Sequence, residues 1–220
     1  MSIGKQVAEA IDKMQAQDPE GALYALCSAI DATATKEYGK RGKASYKQFV
    51  SNNFGLITAV GFGPKVLNLR LEYSHPDLPP SADGTYPVQD IFYVAVRCNL
   101  YHETELPTNI KFIDSKRIAC DNSGGIILSD SLIYGLIMAV VAAPVNSGES
   151  SPNPNLFNIG DIALPISKLW GRRQELVWLL EAINEGDGMR KMAAGSSSAP
   201  GAVSSALPGQ EPEAPATPAS

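Results

Sequence analysis

The chain has 220 residues, a formal net charge of −5 and a hydrophobic share of 44%. At ~100–200 residues per domain this is one domain with appendages, and the apolar content excludes a wholly disordered chain. A sequence pI near 5.1 excludes a general nucleic-acid coat protein, which needs a broadly basic face, and leaves room for a local basic site.

The opening segment MSIGKQVAEAIDKMQ lacks the apolar core of a secretory signal. Its spacing predicts a helix over Ile3–Gln15, with Ile3, Val7, Ala10, Ile11 and Met14 on one stripe. Asp18 at a cap position, Pro19 at the first helical position and Glu20 in the first turn start a second helix. Its stripe is Leu23, Leu26, Cys27, Ile30 and Ala34, and Gly39 ends it as a C-cap residue. A third helix is expected over Ala44–Val60, with Phe49, Val50, Phe54 and Ile57 inward and Gly61, Gly63 and Pro64 as stops. Val66–Tyr73 alternates like a strand but is short enough for a packed helical turn.

His75–Pro87 holds four prolines and an Asp83–Gly84 pair and reads as a loop. Pro87 or Val88 opens an apolar helix that runs through Val96 into Arg97–His102. Lys111–Ile113, Arg117–Cys120 and Gly125–Leu128 are short β-like runs, which suggests a small hairpin insert over about 110–128. Ser129 or Asp130 caps an apolar helix ending near Pro144; its stretch falls short of the ~20 residues needed to cross a bilayer. After a loop at Asn146–Asn155, Ile166–Glu185 is the expected last helix. Residues 192–220, rich in Ala, Ser, Pro and Gly, are expected to be a disordered tail behind a 1–191 domain. The expected fold is therefore mainly α, a helical bundle with a small β decoration.

No Walker loop, GxGxxG, nucleophile elbow, HExxH or Cys/His zinc spacing is present. Neither a metal site nor a cofactor is expected. Cys27, Cys98 and Cys120 are odd in number and suit a reducing cytoplasm. Arg97 and His102 remain: a guanidinium fork for phosphate oxygens and an imidazole for proton transfer, a sensible pair for cleaving RNA through its own 2′-OH. On a regular helix, five residues at ~100° each set the two ~140° apart. They converge only if the helix distorts or a second subunit brings a matching pair. Asp31, on the face of Cys27 and Ala34, is expected to orient one of them or to satisfy a buried polar group. Lys36, Lys40, Arg41, Lys43 and Lys47, with Tyr38 and Tyr46 interleaved, suit a single-stranded RNA groove or a solvated helix–helix turn.

The segments VAVRCNLYHE and ALYALCSAIDATATKEYG resemble the HEPN superfamily, compact and commonly dimeric helical bundles, many of them metal-independent ribonucleases. The resemblance implies catalytic roles for Arg97 and His102, with Asn99 as a helper at the same helix end. It implies a homodimeric endoribonuclease of toxin or antiviral type, with an antitoxin or regulatory protein as a further partner. Active members often carry Asn, Asp or His directly after the arginine, where this chain has Cys98. That departure points to the alternative, a catalytically silent module that binds RNA, nucleotide or a partner protein.

Overall fold

The computed structural model describes residues 2–63, 65–103, 105–114, 118–121, 124–152, 156–159 and 162–195. Helix α1 spans Ile3–Gln15, and the Ser2 hydroxyl at its N-cap accepts from the Lys5 amide. Its stripe Ile3, Val7, Ala10, Ile11 and Met14 is buried against α2, Pro19–Tyr38. The ends of α2 follow from the residues that stand there. Asp18 Oδ1 accepts from the Gly21 amide at 2.8 Å, and Gly39 turns the chain left-handed at φ 67°. Helix α3 runs Lys43–Phe62, passing through Gly61 and stopping at Gly63 with φ 90°.

Helix α5, Ser131–Ala142, is the axle of the molecule. From Leu132 to Ala142 every side chain except Tyr134 is buried, and a helix apolar on all sides belongs inside. Each fully covered Leu, Ile, Val or Met contributes about 1.5–3 kcal/mol. The approach of α5 to α3 is set by two glycines. A Cβ on Gly135 would collide with the Ile57 carbonyl oxygen, and one on Gly61 would stand 2.9 Å from the Ser131 oxygen. Among the described residues no helix is long and apolar enough to cross a membrane.

Among the described residues the strands are short and lie in three separate sheets. β1 (Arg70–Glu72) pairs antiparallel with β2 (Thr85–Pro87), so the Pro-rich segment expected as a loop ends in a hairpin strand. Asp83 shapes its turn, accepting from Ser81 Oγ, Thr85 N and Thr85 Oγ1, and these bonds hold its carboxyl well below the usual range. β3 (Ile110–Ile113), β4 (Ala119–Cys120) and β5 (Ile126–Ser129) form a sheet in the order β3-β5-β4. The insert is thus more than the expected hairpin: β4 and β5 are antiparallel, but β3 lies parallel to β5 with Ile110 opposite Ile126.

Beyond α5 the expectation of one helix from Ile166 is also corrected. β6 (Leu156–Ile159) and β7 (Ile162–Pro165) make an antiparallel hairpin, and Ile166–Lys168 is a single 3₁₀ turn. Gly171, at φ 75° and pressed on Ser147, breaks the chain before α6, Arg173–Gly195. Of the expected disordered tail, 192–195 belong to α6 and 196–220 lie outside the described residues. The first turn of α1 is clasped to the far end of α5. The Gly4 amide donates to Glu149, whose carboxylate also takes Lys36 Nζ at 2.7 Å, and Gly4 abuts the Ser150 carbonyl.

Candidate functional site

Helix α4 carries the Arg97–His102 motif and is not a regular helix. It spans residues 88–102 as an α turn at Val88–Ile91, a π-helical stretch at Phe92–Cys98 and a final α turn at Asn99–His102. Hydrogen bonds from i to i+5 widen the backbone and leave carbonyls to be satisfied. Asn99 meets that need: its Nδ2 reaches the oxygens of Ala95 at 3.1 Å and Val94 at 3.2 Å, with His75 Nε2 at 3.3 Å. The residue expected as a catalytic helper therefore secures its own helix, and the His75 ring lies against it.

Arg97 is turned inward onto α2. Its Nε and Nη2 both donate to Asp31 Oδ2, at 3.0 and 2.7 Å. The side chains of this pair are 18% and 9% exposed, which makes it a largely desolvated ion pair. The guanidinium also lies over two rings of its own helix, 5.2 Å from the centroid of Tyr93 and 4.9 Å from that of Tyr101. Burial opposes the Arg97 charge, but the hydrogen bond and charge of Asp31 outweigh it and raise the guanidinium above its ordinary value. Two of its donors are thus already used on a carboxylate. Of the two options for Asp31, orienting Arg97 is the one realised.

The tyrosines extend the cluster in both directions. Tyr101 stacks on Tyr24, with centroids 5.6 Å apart, and its hydroxyl is hydrogen-bonded to Ser28. Tyr93 meets the buried Tyr46 edge-on, and Tyr46 contacts Cys27 Sγ at 3.6 Å. Burial pushes the Cys27 thiol up to about 12, despite the opposing Tyr46 bond, so it is a packing group with no nucleophilic character. Tyr24 and Tyr101 stay 46% and 38% exposed, so this cluster presents aromatic rings at the surface.

The basic residues divide in two. Lys36 is paired with Glu149 and Lys47 with Asp90. Lys40, Arg41 and Lys43 are exposed and carry no ion pair among the described residues. Lys43 Nζ stands over the Tyr93 ring at 5.6 Å. Arg41 lines a cleft of about 430 Å³ between α1 and α2, together with Gln6, Ser28, Asp31, Thr35 and Tyr101. Arg41 and Lys43 thus border the tyrosines that surround the Asp31–Arg97 pair.

His102 is exposed at the end of α4, and no hydrogen bond or ring contact joins it to Arg97 among the described residues. The rings that meet Arg97 lie four residues either way, at Tyr93 and Tyr101. Arg97 therefore has its neighbours at helical spacing, and His102 is one position beyond them. Sequence reasoning took Tyr101 only as a letter of the motif and passed over Tyr93, Tyr24 and Gln6. The i±4 tyrosines around Arg97 were the available signal. Among the described residues no three His, Cys, Asp or Glu side chains converge as metal ligands.

Fold and site together define a mainly helical protein with an aromatic-flanked ion pair under a basic rim. The chain belongs to the Rv1289 family, whose pattern matches residues 2–192 and so takes in every residue of that site. Its relatives include the uncharacterized proteins Rv1289 and MT1327 of Mycobacterium tuberculosis and Mb1320 of Mycobacterium bovis. Each is 26% identical over 182 residues, covering 78% of this chain and 84% of the relative. No solved structure matches the chain.

Proposed function

We propose that this chain is a cytoplasmic RNA-binding module that holds single-stranded RNA without cleaving it. The observation that carries this reading is the state of Arg97. Its charge is matched by Asp31 and its faces are taken by Tyr93 and Tyr101, so it serves as a fixed part of the floor. Around it, Lys40, Arg41 and Lys43 offer cations to phosphates, and the open Tyr24 ring offers a stacking face to a base. Cations on phosphates bind RNA with strong dependence on salt.

The test is fluorescence anisotropy of labelled single-stranded RNA at two salt concentrations, with EDTA throughout and a gel of the same samples. Salt-sensitive binding of intact RNA is the expected result. Absence of binding at low salt refutes the proposal.

A second reading is the HEPN-type ribonuclease, a metal-independent homodimeric enzyme, and the exposure of His102 favours it. An imidazole open to solvent at a helix end is free to move a proton. Cleavage in EDTA that leaves 2′,3′-cyclic phosphate ends, and is lost in His102→Ala, would put this reading in place of the first.

A further inference from the structure

We infer that the cavity walled by α1, α3, α5, β6 and α6 binds an uncharged, largely apolar small molecule. It measures about 510 Å³, within the range of small-ligand sites, and shares no lining residue with the cleft beside Arg41. The site therefore stands independently of the RNA reading. Its inner surface is made by Ile11, Ala59, Phe157, Ile166 and Leu180, all of them buried. Its exposed polar lining consists of Gln15, Asn158 and Asn184, which are all neutral amides. An apolar interior with a few polar groups toward solvent both holds and orients a small molecule.

The walls are fastened to one another, so the space is built into the fold. Gly63, at φ 90°, ends α3 at the cavity, and its carbonyl accepts from Asn184 Nδ2 of α6 at 3.2 Å. Tyr134 of α5 meets the Phe157 ring of β6 with centroids 6.0 Å apart. Gly61 lies close against the Ser131 carbonyl, which fixes α3 on α5 at the same place. A preformed site spends little of its binding energy on ordering the protein.

Charge decides the class of ligand. Asp, Glu, Lys and Arg make up 19% of the chain, yet none of them is among the described lining residues. An ion entering here leaves water and meets no opposite charge on the lining, which is costly. Burial, and then the nearby charges of Asp130 and Asp114, push the Tyr134 hydroxyl up, so an anion is also repelled from that side. An uncharged chain or ring with one hydroxyl or carbonyl meets neither obstacle, because its polar end can face the amides.

The test follows the uncharged dye Nile red on the full chain by fluorescence, with hexan-1-ol, octan-1-ol, octanoate and octylammonium as competitors. Each buried methylene should improve displacement about fourfold, so octan-1-ol should exceed hexan-1-ol by about tenfold or more. Octanoate and octylammonium should trail octan-1-ol by about tenfold. Ile183→Trp, at a half-buried lining position on α6, should fill the space and abolish octan-1-ol binding with the circular dichroism unchanged. Ile183→Ala should enlarge the space and move the preference toward longer alcohols. Trp178 and Leu67 are exposed apolar residues outside the lining, and Trp178→Gln with Leu67→Ser should leave displacement as it was. Loss of displacement in that pair puts the dye on the outer surface and overturns the site. So does the absence of saturable dye binding, or a chain-length preference unmoved in both Ile183 variants. Tighter binding of either ion overturns the uncharged class. A dimer in sedimentation that Ile183→Trp splits makes the cavity a contact between copies and overturns the ligand.

Discussion

Two helix crossings meet in this molecule, and they are built on opposite principles. Where α3 crosses α5, Gly61 and Gly135 let backbone touch backbone, and the surroundings are apolar. Where α4 crosses α2, long side chains fill the gap: an ion pair, Tyr93 and Tyr101 around it, and Tyr46 against Cys27 behind. The first crossing depends on shape and the second on charge satisfaction. The first is flanked by a cavity of about 510 Å³ whose lining includes Gly61, Ser131, Tyr134 and Ile166. The second carries an open rim, which is where RNA binding is expected.

The largest effect should come from breaking the second crossing. Asp31→Ala strands the Arg97 cation among tyrosines and should cost about 3 kcal/mol in a urea melt. Asp31→Leu with Arg97→Met turns the crossing apolar like its counterpart, and should fall within about 1 kcal/mol of the parent. If the double variant is as damaged as the single one, charge satisfaction is not what the pair provides. Next in size, Gly135→Ala should force α3 and α5 apart and cost about 1–3 kcal/mol. Thermal melts that do not move would show that this crossing tolerates spreading.

Glu149 gives a smaller, pH-dependent effect. Its bond from Lys36, supported by the Gly4 amide, lowers its carboxyl from the usual 4.5. A depressed acid contributes fully above that value and loses its contribution as the pH falls below it. Glu149→Gln should cost less than about 1 kcal/mol at neutral pH and flatten the acid limb of stability below pH 4.5. An acid limb identical in both proteins removes Glu149 from the account. Smallest for the fold, Arg41→Glu with Lys43→Glu should change stability by no more than about 0.5 kcal/mol. The same variant should reduce the salt slope of RNA binding by about 1.4, the loss of two phosphate contacts on a single strand.

The first two helices were legible to the residue, because their caps and stripes are local facts: Asp18, Pro19 and Gly39 bound α2 where the chain says they should. The strands were not. β3 pairs in parallel with β5 although β4 lies between them in the chain, and no short window contains the reason for that. The start of α6 was placed early because apolar residues continue back to Ile166, whereas Gly171 packs on Ser147 in a conformation that ends any helix. Arg97, His102 and Asp31 were visible as chemistry. That Arg97 belongs to Asp31, and that Asn99 stabilises a widened turn, depends on backbone spacing that propensities do not encode.

The clasp at the start of α1 has a consequence in time. Helix α1 can lie down on α2 early, since a short turn joins them. Its first turn cannot lock until Glu149 and Ser150 arrive from the far side of α5, which closes most of the chain into a loop. The N-terminal turn, ordinarily the first to fray, is thereby tied to a residue 145 positions away and made a reporter on the whole. The Gly4 amide should exchange with solvent hydrogen at the pace of global opening, while the outer turns of α6 exchange far faster.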